Sequence, residues 1–116
     1  MEKSWIENMF AAIDRKDTDA FMDFLAPSCI FRFGNMPLLE GKENIRNFTR
    51  DFFASLEAIS HDLTEIWNIP NGIVCHGRVK YTRKDASTLV IPFADILKRK
   101  DKGITQYLIF ADASVL

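Results

Sequence analysis

His76 and Arg78 stand two residues apart in the alternating run 73–82. In an extended chain that spacing puts both side chains on one face, about 7 Å apart. An imidazole and a fixed guanidinium so placed could bind and polarise a carbonyl or a carboxylate. The competing reading makes Val74, His76, Arg78, Lys80 and Thr82 a solvent or dimer face. Two aspartates also draw notice. Asp95 interrupts an apolar run, and a buried carboxylate needs a partner, which Arg78, Lys98 or a dimer interface could supply. Asp112 closes the run Phe110-Ala111-Asp112 and suits an end-of-sheet hydrogen bond. A catalytic acid is the alternative role for each. His61, beside Asp62, reads as the exposed start of a strand.

Cys29 and Cys75 lie in apolar runs with no CxxC or Cys/His metal spacing. Buried free thiols are expected, with no metal and no cofactor. The 15 basic and 16 acidic residues leave a net charge of -1, too little field to attract nucleic acid or an anionic membrane. The charged run Lys98-Arg99-Lys100-Asp101-Lys102 reads as a solvated hairpin tip, at the opposite end of the sheet from Arg83-Lys84. No stretch approaches the ~20 apolar residues of a membrane span. The start, Met1-Glu2-Lys3-Ser4-Trp5, lacks the charged-then-apolar order of a signal peptide, so a reducing, cytoplasmic location is expected.

The elements that must position these groups follow from periodicity. A chain of 116 residues with 47% hydrophobic content is expected to be one domain, 1–116, burying roughly 65% of its unfolded surface. Trp5, Ile6, Met9, Phe10 and Ile13 recur at helical spacing over 2–16, with Glu2, Glu7, Asn8 and Asp14 elsewhere on that helix. Asp17 or Thr18 caps a shorter helix that turns Phe21, Phe24 and Leu25 inward and ends at 26–28. A strand over 29–33 and a turn at Gly34-Asn35 come next. A third helix over 43–56 puts Ile45, Phe48, Phe52 and Leu56 on one face.

After Ser60 the period changes to two. Strands over 61–67, 73–82, 88–98 and 104–112 make an antiparallel meander, with Asn71-Gly72 as its tightest turn. Helices first and sheet afterwards is an α+β order. In 73–82 alternation separates Ile73, Cys75, Gly77, Val79 and Tyr81 from the even set, whereas 88–98 is apolar on both sides. The last strand divides into Ile104, Leu108 and Phe110 against Tyr107, Ile109 and Ala111. Two apolar faces need two covers. A homodimer through the sheet is the economical answer; a sheet that curls over its own surplus is the other.

These elements carry Phe10-Ala11-Ala12-Ile13, Asp17-x-Asp19-Ala20-Phe21, Leu25-Ala26, Phe31, Gly41 and Ile45-x-x-Phe48 in the first half. The second half carries Trp67, Gly77-x-Val79-x-Tyr81, Pro92-Phe93, Ile104 and Tyr107-x-Ile109-x-x-Asp112. In that order they resemble the nuclear transport factor 2-like superfamily, in its SnoaL-like, polyketide-cyclase-like branch. The resemblance implies a cystatin-like cone, with N-terminal helices packed in a curved mixed or antiparallel sheet. It also implies an open end that admits a small hydrophobic molecule, and a frequent homodimer.

The resemblance also tests two chemistries. Matched to ketosteroid isomerase, the tyrosine, the aspartate base and the protonated aspartate are replaced by Met9, Phe33 and Ala94, which can neither take a proton nor bind an oxyanion. Matched to limonene-epoxide hydrolase, the aspartate, arginine and second aspartate become His76, Arg78 and Ile109. Both catalytic sets are absent. The same match makes Tyr107 a pocket hydroxyl, with Ile109, Met9, Phe31 and Phe33 as apolar walls. The favoured reading is a small-molecule-binding domain, with isomerase, cyclase or hydrolase chemistry left open. The alternative is a non-catalytic dimerisation or partner-binding module of the same fold.

Overall fold

Apolar residues at helical spacing build α1 (Glu2–Asp14) in this computed structural model, which describes residues 2–101 and 103–116, with side chains from Trp5 onward. Ile6, Met9, Phe10 and Ile13 are buried, each contributing about 1.5–3 kcal/mol by leaving water. The helix stops where Lys16 turns left-handed at φ 57°. The N–H groups of Lys16 and Asp17 then close back on the carbonyls of Ile13 and Ala12. Asp17 Oδ1 accepts the Ala20 N–H at 3.0 Å and so caps α2 (Thr18–Met22). The side chain of Glu2 and the whole of Lys102, both read above from the sequence, lie outside the described residues.

The chain continues through β1 (Leu25–Phe33), β2 (Leu39–Glu40), α3 (Lys42–Ala54) and the four strands β3 (Leu56–Ile69), β4 (Gly72–Arg83), β5 (Thr88–Lys100) and β6 (Gly103–Ala111). The strands form one curved mixed sheet in the order β2-β1-β6-β5-β4-β3. Only the β1–β6 pair is parallel among the described residues. The expected meander is therefore β3 to β6, and α1 packs on its concave side. The fold is the α+β cone that the order of elements implies.

Several boundaries differ from the sequence reading, each for a tertiary reason. β1 begins at Leu25 and runs through exposed Pro27, in a stretch whose register with β6 is irregular, so the missing N–H disturbs no ladder. Leu56, expected on a helix face, instead starts β3. That strand carries bulges between Leu56 and Ala58 and between Leu63 and Glu65, which bend it around the helices. Opposite the second bulge the strands approach closely enough that a Cβ on Gly77 would lie 2.0 Å from the Asp62 carbonyl oxygen. β2 is two residues long and has no sequence period to announce it.

A third irregularity changes a face. Strict alternation groups Ile104 with Leu108 and Phe110. The β5–β6 register shifts between Lys98 and Arg99, leaving Thr105 as an extra residue between the Ile104 and Gln106 pairs. Ile104 thereby joins Tyr107 in the core, fully buried, while Phe110 stays outside. On β4 and β5 alternation holds without a break. Ile73, Cys75, Val79 and Tyr81 face inward beside Ile91, Phe93, Asp95 and Leu97.

Candidate functional site

The inner face of the sheet and the three helices enclose an aromatic hollow of about 50 Å³. Phe31 and Phe33 of β1 form one wall, and Tyr107 and Ile109 of β6 the next. Phe48, Thr49, Phe52 and Phe53 of α3 cover them, because helical spacing aims all four at the sheet. Ile13, Phe21, Ile59, His61 and Tyr81 complete the lining. The rings interlock. Phe31 meets Tyr107 edge-on at 5.5 Å, Phe33 meets Phe52 at 5.3 Å, and Phe48 stacks on Phe52 at 5.8 Å.

Besides Thr49 and Tyr81, two side-chain pairs bring polar groups to this apolar space. At one, Asp14 Oδ1 lies 2.6 Å from His61 Nδ1, and Asp14 Oδ2 accepts the His61 backbone N–H at 3.0 Å. Phe10 and Phe93 pack on the imidazole at 4.7 and 5.3 Å between centroids. At the other, the Tyr107 hydroxyl donates to Asp95 Oδ2 at 3.4 Å, while Asp95 Oδ1 is buried with no partner among the described residues. Burial pushes the Asp95 carboxyl well above its usual range, and the Tyr107 bond opposes that only in part. Tyr81 is raised too, first by burial and then by the charges of Asp95 and Asp14, so its hydroxyl keeps its proton. Cys75 is pushed up to about 12 by burial and by Asp95, which leaves an unreactive thiol.

Of the residues singled out in the sequence, Phe31, Phe33, Tyr107 and Ile109 line the hollow together. Met9 is fully buried under α1 but is not on its wall. His76 and Arg78 do share a face, and it is the outer one. There His76 stacks on Trp67 at 5.3 Å and faces Glu65 at 3.7 Å, and Arg78 is exposed. The reason is parity: Cys75 and Gly77, between and beside them, turn inward, so the polar pair turns out. Asp95 has the inward parity, which takes it away from Arg78 and Lys98 and gives it Tyr107. Asp112 is exposed at the sheet end, where its side chain caps the short 3-10 helix Ala113–Val115 through Ser114.

His61 is the residue that sequence reading missed. Its side chain is only 11% exposed, on the inner face, not at a surface strand end. One signal pointed to it. Asp14 puts a carboxylate in the last turn of α1, where the helix dipole disfavours negative charge by about 0.3–1 kcal/mol. A residue kept there against that field has a partner elsewhere. Tyr81 was legible from its place among Ile73, Cys75 and Val79. Among the described residues no cluster of three His, Cys, Asp or Glu side chains could hold a metal ion.

The chain belongs to the SnoaL-like domain family, which matches residues 6–107. No curated protein matches it. Solved structures similar to it include a protein with a ketosteroid isomerase-like fold from Catenulispora acidiphila in complex with trimethylamine, at 15% identity and a TM-score of 0.85, covering 94% of this chain and 85% of that one. TerC co-crystallised with polyporic acid is also 15% identical, with a TM-score of 0.81 and coverage of 95% and 90%. An epoxide hydrolase from M. tuberculosis, similar to limonene-epoxide hydrolase, shows 11% identity, a TM-score of 0.82 and coverage of 94% and 80%. At such identities the likeness is one of fold.

Proposed function

We propose that this chain binds a small apolar molecule in the hollow and pairs with a second copy through the outer face of its sheet. The observation that carries the binding site is the Tyr81 hydroxyl. It stands on an aromatic wall with no hydrogen-bond partner among the described residues, a donor left for a ligand. Apolar walls with a few placed polar groups are the usual make-up of such sites. Proteins of the same fold were crystallised with trimethylamine and with polyporic acid, which supports the reading. Tyr107, Ile109, Phe31 and Phe33 are its walls.

Size sets a condition. An apolar cavity of about 150 Å³ holds benzene, three times the space present here. Phe48 and Phe52, both half-buried on α3, must turn aside to admit a ring. The narrowness favours a second reading, a dimerisation module that binds no ligand. Saturation-transfer NMR with acetophenone and 2-tetralone separates the two. Transfer that weakens in Tyr81→Phe supports the pocket, and no transfer from either ketone removes it.

The dimer rests on Trp67, Val90 and Phe110, which are 46%, 51% and 46% exposed on the outer face. Half-buried Val74, Ile96 and Leu108 form a row across the sheet between Trp67 and Phe110, and Val90 lies further along β5, opposite Lys80. Free, buried Cys29 and Cys75 fit a reducing compartment, the cytoplasm.

A further inference from the structure

Arg99 carries the inward parity of Phe93, Asp95 and Leu97 one step past the core, to the end of β5. There its guanidinium lies 4.3 Å over the Trp5 ring of α1, and its backbone N–H donates to the Asn71 carbonyl at 2.7 Å. The hairpin is therefore more than a solvated tip. The stack on Trp5 fixes the plane of a guanidinium fork that suits a two-oxygen anion. Trp5, Asn68, Ile69, Asn71, Gly72 and Arg99 line a crevice of about 290 Å³ beside it. That lining holds N–H donors of an indole, two amides and a guanidinium, and no carboxylate among the described residues. The Trp5 indole N–H is buried without an acceptor among the described residues.

An adjoining crevice shares Asn71 and Arg99 and adds the exposed ammonium groups of Lys98 and Lys100, with Asp101 as its one acid among the described residues. Arg15, Arg46, Arg50 and Lys84 each have a carboxylate within 3.9 Å. Lys98, Arg99 and Lys100 have none among the described residues, although the chain holds more acids than bases. We propose that this end of the cone binds a phosphate monoester group, with two of its oxygens on the Arg99 fork and Lys98 and Lys100 beside it. Three cations against Asp101 leave two positive charges. That matches a phosphate dianion and exceeds by one what a carboxylate needs. The site is separate from the aromatic hollow and does not rest on it.

Nitrogen-15 NMR titration with inorganic phosphate and with phenyl phosphate tests this, against sodium chloride at matched ionic strength. The Trp5 indole signal, identified by its loss in Trp5→Phe, reports from inside the site. It should shift saturably, with a dissociation constant of about 1 mM, while the Trp67 signal stays in place. Benzoate should bind more weakly than phenyl phosphate, and equal affinities would overturn the choice of phosphate. Arg99→Lys keeps the charge but loses the fork, and should weaken binding about tenfold. If that variant fails to fold, Lys98→Ala with Lys100→Ala carries the test. Both side chains are exposed, and their joint loss should weaken binding about fivefold. Shifts that chloride reproduces, or an unchanged affinity in the variant that folds, overturn the site. Phosphatidylcholine vesicles with and without phosphatidic acid identify the source of the phosphate. Sedimentation with the acidic vesicles alone, lost in the same variant while soluble phosphates leave Trp5 unmoved, assigns the contacts to a lipid head group. Binding to neither soluble phosphates nor acidic vesicles overturns the proposal.

Discussion

The Tyr107 hydroxyl and the Asp95 carboxyl meet across 3.4 Å in the interior of the sheet, and they are the deepest polar pair in the fold. Asp95 is 1% exposed and its second oxygen has no partner among the described residues. A charge there would be poorly compensated, so the carboxyl keeps its proton well above the pH at which an exposed aspartate loses it.

Stability should therefore fall as pH rises. The unfolded chain releases this proton near pH 3.9 and the folded chain does so only at a raised value. Below the unfolded value the full contribution is present. Above it the loss approaches about 1.4 kcal/mol per pH unit until the folded carboxyl ionises. Asp95→Asn removes the slope, since an amide has no proton to lose. Urea unfolding of both proteins from pH 4.5 to 8 measures the difference, and parallel curves would contradict the assignment.

Phe52 should act as a gate. Phe52→Ala opens the hollow between Phe33, Phe48 and Tyr81. The cost should be about 1–3 kcal/mol, below the range for a fully buried phenylalanine because the ring is half-exposed. Affinity for 2-tetralone should rise relative to acetophenone in calorimetric titration. An unchanged ratio would mean that this ring does not limit entry.

The outer face should control association. Val90→Lys with Phe110→Lys puts two charges where the proposed interface is apolar. Wild type should sediment as a dimer at low micromolar concentration and the double variant as a monomer with an unchanged far-ultraviolet spectrum. A monomeric wild type would end the dimer proposal.

Gly77 should resist every substitution. An alanine methyl would sit 2.0 Å from the Asp62 carbonyl oxygen, which is backbone and cannot swing away. Gly77→Ala should cost at least about 2 kcal/mol. Thermal unfolding gives the answer, and a melting temperature within a degree of wild type would show that the bulge has room.

The cone was legible because its causes are local. Ile6, Met9, Phe10 and Ile13 recur every three or four residues, and Ile73, Cys75, Val79 and Tyr81 every two. Each pattern names the face its element must hide. Such reasoning fails where one residue is added. Thr105 shifts Ile104 to the other side of β6, and the two bulges in β3 bring Leu56, Ile59, Leu63 and Ile66 to one side despite their uneven spacing.

By its own pattern, then, the sequence decided that helices would sit in a bent sheet and which strand faces would meet them. It also made the family likeness readable. Tertiary structure alone decided which polar groups enter the hollow and how narrow that hollow is. The physical reason is range: alternation is a property of neighbours, whereas the Asp14 carboxylate finds His61 only after the chain has closed a loop of 47 positions around it. The width of the space follows from the turn of a few phenylalanine rings, each fixed by the others.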